Sequence, residues 1–415
     1  MRLVPLHFAL LLMGPVCANE NLPDKNPLAR LPSSPGPHLE KLKALGDNQW
    51  LNLGCPAPDA KWCKDGVARG RSWCSKMAYA QDLGGAFFCG TGVHGFVKPD
   101  GCYMDDLWFY DVNAHKWICL YPGANTKTLK LKLDEHHFEV TQDGDPNPVS
   151  YLSHAYNMTT YIPKLRKYML ISRPCPWWTK ALPQRADWLE VPMANRNNAY
   201  QGGKVNGSSK HPILWNVDSN KWEHPFVTDP TTPGESDCSM IEYLPGREQV
   251  FFLNRGGVYF YDFKGNKWIN SGAKAGAKGY DSNGCLDAKQ NRIYVAGGKS
   301  FWCFDVTANS WMEIKAEGQP QDFGCTNTAC LFFDTANEVA VWHGRHGKIA
   351  VYIPATNKWE TPPSTFPDKP VEYLSNQQGH GFYDQNQNVH YYYIAGDSSN
   401  KYVTMLAYRY KNTRK

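Results

Sequence analysis

The sequence predicts an all-β fold, a six-bladed β-propeller with four antiparallel strands per blade. The ring is closed by an N-terminal strand that completes the last blade. Three observations carry this. An aromatic residue with tryptophan seven positions later recurs at "YDVNAHKW" (110–117), "WNVDSNKW" (215–222), "YDFKGNKW" (261–268), "FDVTANSW" (304–311) and "YIPATNKW" (352–359). The tryptophans Trp117, Trp222, Trp268, Trp311 and Trp359 are separated by 105, 46, 43 and 48 residues. Periods in the forties with strand-like composition mark sheets stacked around an axis. The two chain ends, finally, complement each other.

Each repeat parses alike. In the fourth, "YDSNGCLDA" reads as the innermost strand, "NRIYVAGG" as the second, "SFWCFDV" as the third and "SWMEIK" as the outer one. Two places before each tryptophan stands Asn220, Asn266, Asn309 or Asn357, with His115 in the first repeat. Both types are enriched at the positive φ that a tight hairpin requires. A tyrosine or other aromatic on the third strand and a tryptophan on the fourth then cover the neighbouring blade with bulky rings.

This pattern resembles the kelch repeat family, which runs from a double glycine to a tyrosine and on to a tryptophan. The resemblance covers residues 47–415. Gly256-Gly257 and Gly297-Gly298 keep the doublet, Gly90-Thr91-Gly92 and Gly344-Arg345-His346-Gly347 are loose versions, and the second repeat has Ser172-Arg173-Pro174 instead. Copper radical oxidases of the galactose oxidase type share this kind of propeller. Their Tyr-His ligand doublet has no counterpart here, because "VHYYY" (389–393) reverses the order.

The last repeat supplies "GHGFYDQN", "NVHYYYIAGD" and "KYVTMLAYRYKNTRK", and seven positions beyond Tyr408 stands Lys415 where a tryptophan is expected. Near the other end, "GDNQWLNLG" (46–54) has the Asn48 and Trp50 of an outer strand without a third strand before it. Trp50 is therefore expected beside Tyr408. Such closure removes an open sheet edge. Surplus residues fall at about 55–71, 125–149 (expected as a β-hairpin) and 173–210. Residues 19–46 read as a Pro- and Asn-rich linker followed by a short helix through Leu39, Leu42 and Leu45.

Residues 1–18 read as an export signal: Arg2, a short apolar run, then small residues Val16 and Ala18 before the cleavage point. Cys17 lacks the flanking residues of a lipoprotein site. The mature protein is expected to be secreted or periplasmic, with disulfides permitted. Thirteen cysteines occur, one of them in the signal. Cys89, Cys119 and Cys303 lie in apolar strands and read as buried hydrophobes, whereas Cys55, Cys63, Cys102 and Cys175 suit loop-tying bridges. No CxxC pair occurs, so neither a zinc site nor any other metal or cofactor is expected. A formal net charge of +5 calls for neither nucleic acid nor an anionic membrane, and no later stretch is long and apolar enough to span a bilayer. A monomer is expected. Asn157-Met158-Thr159 and Asn206-Gly207-Ser208 are glycosylation sequons.

Propeller ligands are expected at the axis and on one loop face. The innermost segments read as 72–77, 151–156, 236–240, 281–285, 324–330 and 377–381. Among their small and polar residues Lys76, His154 and His380 stand out as ligand candidates, since histidine is a base or ligand near neutral pH. His94, Arg255, Lys299 and Arg345 fall between second and third strands and would share one face. His343 and His346 in "WHGRH", like His136-His137, read as solvated polar loop. In the insertion, Trp177, Trp178 and Trp188 beside Arg173 and Arg185 form either a contact surface for sugar stacking or a protein partner, or a buried anchor. GxSxG, HExxH and P-loop motifs are absent from the sequence. The expected function is thus a binding module for a glycan or protein partner. A carbohydrate-active enzyme with its site at the channel mouth is the competing class, and a structural surface protein the third.

Overall fold

A computed structural model of the chain describes residues 26–59, 66–90, 97–148, 154–171, 211–233, 240–254, 257–274, 276–277, 281–326, 329–344, 347–364, 379–396 and 403–413. The export signal, the insertion residues Arg173, Trp177, Trp178, Arg185 and Trp188, and His94, Arg255, Arg345 and His346 lie outside the described residues.

Six four-stranded antiparallel sheets form the ring. Blade 1 runs Ala78–Ala80, Gly85–Phe88, Leu107–Asp111 and Lys116–Tyr121 from the axis outward. Blade 2 is Thr159–Ile162, Lys167–Leu170, Ile213–Asn216 and Lys221–Glu223. Blade 3 is Met240–Leu244, Gln249–Asn254, Gly257–Asp262 and Lys267–Asn270. Blade 4 is Asn283–Asp287, Arg292–Gly297, Ser300–Asp305 and Ser310–Glu313. Blade 5 is Cys330–Asp334, Val339–His343, Ile349–Ile353 and Lys358–Glu360. Blade 6 takes Gly379–Asp384, Val389–Ala395 and Val403–Arg409 from the C-terminal repeat, and its outer strand is Gln49–Gly54. Each innermost strand touches its neighbours on both sides, blade 6 meeting blade 1, so the circle is complete.

The repeat signature has a direct structural reading. In every blade the third-strand aromatic sits opposite the outer-strand tryptophan: Tyr110 with Trp117, Trp215 with Trp222, Tyr261 with Trp268, Phe304 with Trp311, Tyr352 with Trp359 and Tyr408 with Trp50. Ring centroids in these pairs are 4.9–5.5 Å apart, the spacing at which aromatic pairs add to plain burial. The residue two before each tryptophan is left-handed in all six blades, with φ of 50° at His115, 54° at Asn220, 46° at Asn266, 52° at Asn309, 52° at Asn357 and 55° at Asn48. That residue also links blades. Asn266 Nδ2 donates to Phe226 O (2.8 Å) and Asn309 Nδ2 to Ser271 O (2.6 Å), each carbonyl lying just beyond the preceding blade's outer strand. His115 Nε2 makes the same link from blade 1 to Leu53 O of the closing strand, at 3.1 Å. His115 replaces asparagine and keeps its task.

Between blades the core is aromatic. Phe87 stacks on Tyr161 and Tyr168 of blade 2, and Phe251 of blade 3 meets Phe304 of blade 4. Phe382 of blade 6 stacks on Tyr79 of blade 1. The expected hairpin is present as Leu131–Leu133 paired with Glu139–Thr141.

The N-terminal segment is less loose than its composition implies. Leu28 is fully buried, Asn26 Nδ2 donates to Val217 O at 2.6 Å, and Asn113 Nδ2 donates to Ser33 O at 2.8 Å. Residues 26–37 thus strap blade 2 to blade 1 before a helix, His38–Lys43, buries Leu39 and Leu42. The buried Arg409 guanidinium then donates to the carbonyls of Leu45, Gln387 and Asn388, fixing the entry to the closing strand. The nine described cysteines are all unbridged, Cys89, Cys119 and Cys303 being buried as expected. Cys102, expected in a loop bridge, is buried and free as well. No helix among the described residues is long and apolar enough to cross a membrane.

Candidate functional site

Where they are described, the segments read as innermost lie at the axis, but several precede the strands proper: residues 72–77 lie just before Ala78–Ala80, and 154–156 before Thr159–Ile162. Residues 151–153, 236–239, 327–328 and 377–378 of these segments lie outside the described residues. Small and polar residues belong where chains crowd the axis mouth, while the strands themselves are buried and apolar.

Trp73–Met77 of blade 1 fills that axis by contacting every other blade. Ser75 N donates to Tyr156 O of blade 2 (3.1 Å), and Lys76 Nζ reaches Glu242 Oε1 (2.6 Å) and Ile241 O (3.0 Å) of blade 3. Ser75 Oγ donates to Asn283 Oδ1 of blade 4 (2.6 Å), Cys330 Sγ of blade 5 to Ser75 O (3.1 Å), and Met77 N to Gly381 O of blade 6 (2.8 Å). Ser75 has no exposed surface. The hub is strained as well: Trp73 (φ 54°) and Tyr156 (φ 48°) are left-handed bulky residues, a conformation that must be held by its surroundings.

This places two of the three axial candidates in structural roles. Lys76 is paired with Glu242, whose carboxyl burial pushes up against the pull of the lysine. His380 is 1% exposed, with Nδ1–H donating to Cys74 O (2.5 Å) and Nε2 accepting from Arg71 N (3.1 Å). Burial lowers its pKa to about 3, so it stays neutral. His154 is buried beside Trp73 and Tyr156, with ring centroids 6.5 and 5.8 Å away. Asn157 is also at the hub, 1% exposed and donating to Ser75 Oγ at 3.2 Å, so its sequon is closed to modification in the folded protein.

Blade 1 carries a buried charge cluster on its rim. Arg71 Nη2 meets Asp106 Oδ1 at 2.6 Å, Trp108 Nε1 donates to Asp106 Oδ2 at 2.6 Å, and Lys98 Nζ lies 3.4 Å from the same oxygen. Against the burial that opposes it, these cations and the indole hold Asp106 below the usual carboxylate range. Adjacent Asp105 is fully buried with one hydrogen bond, from Ala124 N at 2.8 Å, and burial raises its pKa to about 7. An acid whose folded pKa is raised loses stability as pH climbs from its unfolded value of about 4 to about 7. Asp105→Asn removes that loss. Urea unfolding should show the variant gaining roughly 3 kcal/mol on wild type between pH 4.5 and pH 8; a constant difference would mean that Asp105 does not titrate there.

On the loop rim, Lys299 is exposed where second and third strands of blade 4 turn. Alternating strand direction brings the ends of the second strands of blades 1, 3 and 5, at Phe88, Asn254 and His343, to the same rim.

A cavity of about 770 Å³ opens on the opposite rim, between blades 2 and 3. The turns 163–166, 245–248 and 262–266 frame it. Lys164 Nζ bridges to Glu248 across the blades (2.5 Å), and Lys167 Nζ holds Glu223 (2.5 Å), whose other oxygen accepts from Asn216 Nδ2 (2.7 Å). Arg247 lies over the Phe260 ring at 4.1 Å, and desolvation lowers its pKa. Half-buried Tyr243 and Phe263 supply aromatic surface. His224 lines the wall, its ring stacked 3.7 Å from Phe138 of the hairpin. The hairpin's His136 is a partly exposed turn residue, as expected, and also stacks on Phe226 at 4.2 Å. Such a cleft offers aromatic faces and directional donors and acceptors. Both of its glutamates, Glu223 and Glu248, are paired with lysines.

This groove is not legible in the sequence. Its residues come from six strands and the turns that join them, so no single segment carries its pattern. No model of a known protein family and no curated protein matches the chain.

Proposed function

We propose that this protein is a kelch-type propeller, secreted through its N-terminal signal, that works as a glycan-binding module. The observation that carries the reading is the filled axis. Trp73–Met77 bonds to the other blades around the axis and commits Lys76 and the neighbouring blades to holding the ring. The groove between blades 2 and 3 is the better receptor. Its volume of about 770 Å³ falls in the range of small-ligand sites, roughly 300–1,000 Å³. Tyr243 and Phe263 provide faces for sugar rings, and the lysine–carboxylate pairs provide hydroxyl partners. The aromatic-x6-Trp spacing supports the kelch assignment. A glycan array on the mature protein tests the reading, followed by calorimetry on any hit. Binding is expected to weaken about tenfold in Phe263→Ala, the equivalent of roughly 1.4 kcal/mol. An array without hits, or a hit indifferent to both Phe263→Ala and Tyr243→Ala, would refute it. Capture of a protein partner by this same groove would shift the assignment to the second ligand class.

A further inference from the structure

The closing strand Gln49–Gly54 rests on neutral histidines along both flanks. On one side Trp50 covers His343, with ring centroids 6.1 Å apart. His343 ends the second strand of blade 5 and is 2% exposed, which corrects its reading as a solvated loop residue. It lies 5.0 Å from the ring of His390, on the second strand of blade 6. Neither ring nitrogen of His343 has a hydrogen-bond partner, and His390 has only Asp334 of the innermost strand of blade 5, Nε2 to Oδ2 at 3.6 Å. Tyr383, Tyr392 and Tyr408, from the innermost, second and third strands of blade 6, complete the enclosure, with centroids 4.8 Å from His390, 5.8 Å from His343 and 5.8 Å from His343 respectively. On the other side, His115 Nε2 donates to Leu53 O while Nδ1 accepts from Tyr110 OH at 2.7 Å, and His38 of the helix lies 5.3 Å away.

We propose that the ring closure is an acid-sensitive latch: protonation of His343 and His115 releases Gln49–Gly54 reversibly from blade 6 while the other blades stay folded. One carboxylate, Asp334, faces the His343–His390 pair, so a second positive charge there has no counterpart. A protonated His115 cannot accept from Tyr110. The closing strand is the element free to yield, since it is an outer strand pairing along one edge only, with Val403–Arg409. Its departure uncovers His343 by removing Trp50 and frees the Leu53 carbonyl. In support, burial first and His390 second hold His343 well below its ordinary pKa, and burial first and His38 second lower His115 to about 4.

The sign follows. A histidine whose folded pKa is depressed stabilises the closed form above the open-state value of about 6.5, and that stability drains away as pH falls below it. Each histidine freed to its ordinary pKa raises the opening equilibrium roughly 20-fold between pH 7 and pH 5. Hydrogen–deuterium exchange of the full mature chain, corrected for intrinsic rates, reads this directly. Between pH 7 and pH 5, protection of residues 49–54 is expected to fall at least 20-fold more than that of the strands of blades 3 and 4, and to recover on neutralisation. His343→Phe should cut the differential fall by roughly 20-fold, and Asp334→Asn should move the release to higher pH. Uniform loss of protection around the ring would overturn the proposal. So would a wild-type closing strand whose protection does not change with pH, whether or not either variant folds.

Discussion

Glu242→Ala is expected to destabilise the protein by about 3–5 kcal/mol, the cost typical of leaving one half of a buried ion pair behind. The side chains of Lys76 and Glu242 are only 11% and 13% exposed, and their 2.6 Å contact crosses from blade 1 to blade 3. Without the carboxylate, Lys76 keeps one partner at the axis, the Ile241 carbonyl. The raised Glu242 carboxyl shows that burial outweighs the attraction of Lys76, so the pair itself contributes little over an apolar equivalent. The double variant Lys76→Met/Glu242→Leu should therefore recover most of the loss. Urea unfolding checks both. A single-variant cost under about 1 kcal/mol would mean that the axis is wetter and looser than its packing indicates.

Trp50→Ala should cost about 3 kcal/mol, the lower end for deleting a large core aromatic because Trp50 is half-buried. It removes rings packed at 4.9 Å from Tyr408, 6.4 Å from Tyr392 and 6.1 Å from His343. It also weakens the strand that covers the edge of Val403–Arg409, so the variant is expected to self-associate on mild heating. Met312→Ala, at an outer-strand residue that is 58% exposed, is the matched control and should stay within about 0.5 kcal/mol of wild type. Thermal unfolding with light scattering separates the two. Equal behaviour of the pair would show that closure by the N-terminal strand carries little of the stability.

The fold was legible because its determinants are local and repeated. The aromatic, the left-handed turn residue and the tryptophan lie within eight consecutive positions, so the sequence displays them as one unit. Even the join between Trp50 and Tyr408 could be read, since each end lacked what the other supplied. The axis was only half legible. Composition located the innermost segments, but nothing near Ser75 announces Asn283, 208 residues away, as its partner. Lys76 and His380 look like chemistry in a list of residues and prove to be fastenings once their partners are known. His343 misled for the opposite reason. Its glycine and arginine neighbours suggest a loop, whereas the strand register turns it inward against His390. The groove between blades 2 and 3 was invisible because the determinant is the spacing between two sheets, which no single segment encodes.

Asn48 and the tyrosine whose hydroxyl it accepts are 360 residues apart. During synthesis the N-terminal strand therefore leaves the ribosome long before its sheet exists, and the hub segment waits for blades not yet made. The final assembly step must wait until Val403–Arg409 has been made, and a polypeptide stalled in translation before that point would present an unmatched strand to whatever quality-control machinery it meets.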